Sequence, residues 1–157
     1  MPVHSSLNRV IANEIIQKAI SIRVKHGFLP IAVAVLDAGG HLIAYQQEDG
    51  SSHFRFALAT GKATAALGLG MSSRLINQKL APRPVFQTAL AVATDGKFIP
   101  VPGGILLLDP NRVVIGAIGI SGDTSDVDEY CAITAARQLG IATEPSDPDP
   151  SVIQAKL

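Results

Sequence analysis

His53, Arg55 and Lys62 are the polar residues whose spacing points most directly to a site. If the alanine-rich run 53–69 is helical, positions 55 and 62 lie seven apart and share a face, with His53 at the N-terminal end. Two cations on one face can hold a dicarboxylate through charge-assisted hydrogen bonds. The competing reading is a solvated helix face. A second group lies in PGGILLLDPNRVVIGAIGISGDTSDVDE, residues 102–129. Pro102, Gly103 and Gly104 make a turn, and Gly119, Ser121 and Gly122 allow close backbone approach just before a helix start. Unpaired amides and the helix dipole make such a loop an anion cradle, with Ser121 donating to a ligand carboxylate. Its competing reading is a tight strand-to-helix connection that needs glycine only for its φ angles.

Asp123, Asp126, Asp128 and Glu129 crowd the first turn of that last helix, where dipole complementarity explains most of them. Asp123, Asp126 and Glu129, with His53, are the acid–base candidates, because burial beside a ligand raises a carboxylate pKa towards neutrality. The segment GISGD departs from the nucleophile elbow G-x-S-x-G, since Asp123 stands where the second glycine belongs. Gly116, Gly119 and Gly122 are spaced GxxGxxG, so no dinucleotide fingerprint is present. The single cysteine, Cys131, reads as a core residue, and no histidine pair has metal-ligand spacing, so no dedicated metal site is expected. His26 suits a helix end and His41 a hairpin turn. Either imidazole could also ligate a metal. Removal of Met1 would expose the amine of Pro2, but nothing near it promises a pocket.

These side chains need elements to position them. Leu7, Ile11, Ile15, Ala19 and Ile22 recur at helical spacing, and Gly27 follows Lys25 and His26 as a natural stop. The apolar run Ile31 to Leu36 reads as a central strand, and Ala38-Gly39-Gly40 turns it into a second strand, His41 to Gln46. The helix from 53 ends near Gly68 or Gly70. Ser72 or Ser73 can cap a short helix to Leu80, and Val85 to Ala93 makes a short helical turn. Ile105 to Leu108 and Val113 to Ile120 form a second hairpin around Asp109-Pro110-Asn111-Arg112. Ser125 and Asp128 have capping-box spacing for a last helix to Leu139. The order helix, hairpin, helices, hairpin, helix predicts an α/β (α+β) sandwich, its mainly antiparallel sheet covered by helices on both faces. Residues 1–143 form one domain, and 144–157 a Pro/Asp-rich tail, extended or mobile, whose Val152-Ile153 could dock on a neighbour.

Val35-Leu36-Asp37-Ala38-Gly39-Gly40, Lys62-Ala63, Pro102-Gly103-Gly104, Gly116-Ala117-Ile118-Gly119-Ile120-Ser121-Gly122 and Asp128-Glu129 follow one another in an order and spacing that resembles the GlcG/HbpS-like family. That family includes haem-binding HbpS-type proteins and the C-terminal domain of PduO-type proteins. The resemblance covers roughly residues 5–140. It implies a profilin-like α/β/α sandwich with a five-stranded sheet, a basic residue at position 62, self-assembly, and haem as a candidate ligand whose propionates Arg55 and Lys62 could hold.

The formal charge is zero, and no basic patch or aromatic platform speaks for nucleic acid. No apolar run is long enough to span a membrane, and the N-terminus lacks a signal-peptide pattern, so a cytoplasmic location is expected. The chain is 47% hydrophobic, only 17% charged and has no Trp, which implies surface committed to partner subunits in a homo-oligomer larger than a dimer. Two functions remain open. One is a small-molecule binding protein holding an organic acid or a tetrapyrrole such as haem. The other is a small enzyme, needing no cofactor, for an acid–base or hydrolytic step on an unsaturated or amino-substituted carboxylic acid in a catabolic pathway.

Overall fold

The computed structural model describes residues 1 and 5–152 of the 157-residue chain. Pro2 and Ile153, both singled out above, lie outside the described residues. The first helix, α1 (Arg9–His26), starts where the Asn8 side chain accepts the Ile11 amide, and ends where Gly27 turns left-handed at φ 67°. It buries Ala12, Ile15, Ile16, Ala19 and Ile22; of the expected stripe Ile15, Ala19 and Ile22 are buried in it, Ile11 is half-buried, and Leu7 is buried just ahead of the helix. Then follow β1 (Ala32–Asp37), β2 (Leu42–Gln47), α2 (Arg55–Leu69), α3 (Ser73–Leu80), α4 (Pro84–Ala93), β3 (Gly104–Leu108), β4 (Val114–Ser121), α5 (Ser125–Gln138) and β5 (Ala142–Glu144). Gly70 closes α2 and Ser72 caps α3. The expected turn over 85–93 is a full helix of ten residues, with Pro84 pre-set for its first turn.

The sheet is antiparallel throughout, in the order β2-β1-β4-β3-β5. Its two hairpins join through β1 and β4, which pair from Ala32↔Ser121 to Asp37↔Gly116. Alternation along the strands separates two unlike faces. Val33, Val35, Ile105, Leu107, Ile118 and Ile120 pack with residues of α1 and α5 into the main core. The other face offers mostly small residues, Ala32, Ala34, Ala117 and Gly119, beneath Ala59, Ala63 and Ala66 of α2.

Three expectations are corrected here. The cap of α5 is Thr124 rather than Ser125, and it makes no side-chain capping bond. Asp128 instead reaches back to the amide of Asp123. The fifth strand was not located from the sequence. It is β5, three residues paired beside Leu106–Leu108 at the sheet edge, where the tail was expected to begin. Val152 docks on its own main core and is 4% exposed, so it is not spare surface for a neighbour.

Small residues bring α2 close enough that a Cβ at Gly119 would overlap the Ala59 carbonyl oxygen and stand 2.9 Å from the Ala63 amide nitrogen. A Cβ at Gly104 would overlap the Lys62 carbonyl. Gly119→Ala should therefore lower unfolding free energy by about 2–3 kcal/mol, the upper end of typical overpacking costs. Urea unfolding of the variant beside wild type measures it.

Candidate functional site

Arg55 and Lys62 share the inner face of α2, as their spacing implies, and both meet the end of β4. Lys62 is 3% exposed, and its Nζ donates to Asp128 Oδ2 at 2.8 Å and to the Ile120 carbonyl at 2.9 Å. Burial pushes the Asp128 carboxyl above its ordinary value, while the Lys62 ammonium opposes that push. Arg55 Nη1 donates to the buried Ser121 hydroxyl at 3.0 Å. Ser73 Oγ accepts the Gly104 amide at 2.8 Å.

The residues of the expected anion cradle meet at this junction. The glycines are present for close approach, but what approaches them is protein. Gly103 sits at φ +117°, where a Cβ would stand 2.8 Å from the Ile120 oxygen, 2.9 Å from Lys62 Nζ and 3.1 Å from Asp128 Cβ. At Gly122 it would overlap the Pro30 carbonyl and stand 2.6 Å from Ile31 Cα. Pro102 is half-buried in the same turn. The carboxylate that meets Lys62 belongs to the chain itself.

The four acid–base candidates are held apart by different partners. His53 is exposed, with its ring tilted against Phe54 at 5.3 Å. Asp123 accepts the Leu29 and Thr124 amides at 2.9 and 2.7 Å, tying the approach to β1 to the start of α5. Asp126 is half-buried in the first turn of α5. Glu129 is fully buried, and neither carboxylate oxygen has a hydrogen-bond partner among the described residues. Arg74 Nη1 of α3 lies 3.4 Å away. Burial, reinforced by Asp126, Asp149 and Glu144 and opposed by Arg74, pushes the Glu129 carboxyl up to about 7. The folded chain thus keeps a proton that the unfolded chain releases, and stability falls as pH rises from about 4.5 towards 7.

The opposite flank of α2 carries a cleft that the sequence reading missed. It encloses about 400 Å³ between α2, the β1–β2 hairpin and the turn after α4. Leu36, Leu42, Phe56 and Gly61 line it, with Thr60 and Lys97 among its polar atoms. Hollows of about 460 and 480 Å³ on the outer face of α1 and beside α4 are more open to solvent. Phe56, Thr60 and Thr64 recur every fourth residue, a signal that was readable. The wall formed by Asp95, Gly96 and Lys97 was not, because it depends on left-handed backbone at Asp95 and Gly96.

Gly40, at the hairpin turn, also lines the cleft, and His41 follows it. The His41 side chain is 81% exposed, and its Nδ1 lies 3.2 Å from both Asp37 oxygens. His26, by contrast, is packed against Phe28 and Tyr130. Among the described residues, no group of three His, Cys, Asp or Glu side chains is placed to hold a metal ion.

A family model described as haem degrading protein HbpS-like matches residues 7–137. Among solved structures, a PduOC–haem complex superposes with a TM-score of 0.78 at 22% identity, covering 88% of this chain and 98% of that one. The Klebsiella pneumoniae protein ORFY gives 0.78 at 21% identity, covering 89% and 94%. HbpS gives 0.73 at 23% identity, again covering 89% and 94%. At these identities the likeness establishes the fold. No curated protein matched.

The Lys62–Asp128 pair makes a direct prediction. Lys62→Met leaves a buried carboxylate unpaired and should cost about 3–5 kcal/mol in urea unfolding. Adding Asp128→Asn removes that charge while keeping an acceptor for the Asp123 amide, and should recover part of the loss. A double variant no more stable than Lys62→Met would contradict this account of the pair.

Proposed function

The chain belongs to the HbpS-like family, and from that family and the cleft beside α2 we propose that it binds a planar, largely apolar anion, with haem as its occupant. The observation that carries this reading is the cleft, whose volume falls in the usual range for small-molecule sites. Leu36, Leu42 and Phe56 offer apolar walls for a macrocycle, and Lys97 offers a cation for a propionate. His41, with Nδ1 engaged by Asp37, keeps Nε2 for iron, the arrangement common to metal-ligating imidazoles. Bound haem would contribute a redox-active iron. The protein's part is to hold the ring, neutralise its carboxylates and orient the imidazole. One relative of the same fold is a haem complex, which supports the choice.

The reading of a small cofactor-free enzyme has less support. Asp123 is committed to backbone amides, Glu129 is buried beside Arg74 and does not line the cleft, and His53 lies apart on the approach to α2. Self-association belongs to the proposal. No residue of α4 is buried, and it exposes Val85 at 83% and Val92 at 74% on a helix without a charged residue. Apolar surface of that kind is the mark of a subunit contact.

Haemin titration should give a saturable Soret band at about one haem per chain. Thr60→Trp, which fills the cleft, should weaken binding by about tenfold or more, roughly the loss of one good contact set. His41→Ala should retain binding but shift the Soret maximum. Unchanged affinity in Thr60→Trp would exclude this cleft as the site.

Light scattering should show a symmetric assembly, and Val85→Glu combined with Val92→Glu should reduce it to smaller species. A wild-type particle with the mass of one chain at micromolar concentration would refute the assembly.

A further inference from the structure

Glu129 stands in an arrangement that neither the fold nor the cleft requires. Its carboxylate is wholly buried and without a hydrogen bond among the described residues. The charged groups facing it come from each element packed around it: Arg74 from α3, Glu144 from β5, Asp149 from the segment after β5, and Asp126 from α5 itself. Glu144 is committed to the amide and hydroxyl of Ser72.

Arg74 is shared between that buried acid and the segment that follows β5. Its Nη2 donates to the Asp147 carbonyl at 3.0 Å, and its Nη1 lies 3.6 Å from Asp149 Oδ2. Arg137 grips the same segment, donating to the Ser146 carbonyl at 2.6 Å and to Asp147 Oδ1 at 2.7 Å. Val152 plugs into the main core beyond them. Residues 145–152 are therefore strapped down by two guanidinium groups and one apolar anchor.

We propose that residues 145–152 form a proton-controlled strap, closed while Glu129 is neutral and loosened when Glu129 ionises. A neutral carboxyl tolerates this pocket. An ionised one needs hydrogen bonds that the pocket does not provide, and a buried charge left so is costly. Two routes relieve it. Arg74 can turn fully to Glu129 and release Asp147 and Asp149, or the strap can lift and admit water. Both loosen the strap. Burial first, and then the three neighbouring carboxylates, favour the protonated form, Arg74 favours the ionised one, and the balance changes near neutral pH. This device is independent of what occupies the cleft.

Hydrogen exchange of the full chain, read by mass spectrometry and corrected for intrinsic rates, tests it. Amides of Ser151 and Val152 bond to Asp149 in the closed strap and are the reporters. Between about pH 6 and about pH 8.5, wild-type protection over the strap should fall by about tenfold or more, the scale set by one coupled ionisation. Glu129→Gln should stay protected at both values. Protection that does not change with pH in wild type would overturn the proposal. So would a loss in Glu129→Gln equal to that of wild type. The wild-type comparison decides by itself if the variant does not fold.

Discussion

The closeness of α2 to the sheet is the constraint from which the rest of this molecule follows. Gly119 and Gly104 present bare backbone to the carbonyls of Ala59 and Lys62, and no side chain separates the layers at those two positions. A helix seated so deeply must carry small residues inward, which explains the Ala59, Ala63, Ala66 stripe. It also leaves a lysine on the inner face nowhere to reach water. Lys62 ends beside the Ile120 carbonyl, and the fold must bring it a counter-charge. Asp128 is that counter-charge, and its position sets how α5 enters the second layer. A buried ion pair contributes little net stability, but losing either member strands the other.

The same seating leaves the other flank of α2 to line the cleft. With Ala59, Ala63 and Ala66 turned to the sheet, Phe56, Thr60 and Thr64 lie on the flank towards the β1–β2 hairpin. There they meet Leu36, Leu42 and the turn at Asp95–Lys97, and the gap left is the cleft. Tyr45 packs edge-on against Phe56 at 4.9 Å and stiffens its wall. Tight packing on one face of a helix and an open site on the other are thus one design.

Features resting on local physics were legible in the sequence. The buried stripe of α1, both hairpins, the Gly27 and Gly70 stops and the Ser72 cap depend on neighbours a few residues away. The joint direction of Arg55 and Lys62 followed from helical spacing too. What they meet did not, because Ser121 and Asp128 each lie 66 residues away. The glycines of 102–122 could signal close approach without revealing that the visitor is the α2 backbone. β5 escaped because three residues hold no readable period, and only the open edge of β3 makes them a strand. Lys97 belonged to no motif, so the cleft had no sequence signature beyond the stripe on α2.

Asp128 and Glu129 show most sharply where local reasoning ends. Helix-dipole complementarity treats these adjacent acids at the start of α5 alike. Successive residues on a helix point about 100° apart, so one turns towards α2 and the other towards α3. Asp128 meets an ammonium at hydrogen-bond distance and accepts the Asp123 amide on its second oxygen. Glu129 meets a guanidinium 3.4 Å away that is already engaged with Asp147 and Asp149, and gains no hydrogen bond. One acid is thereby built into the fixed junction of the layers. The other is left with a proton to lose near neutral pH, beside an arginine that also holds the segment after β5. The difference between a structural charge and a titrating one here is a single step along one helix.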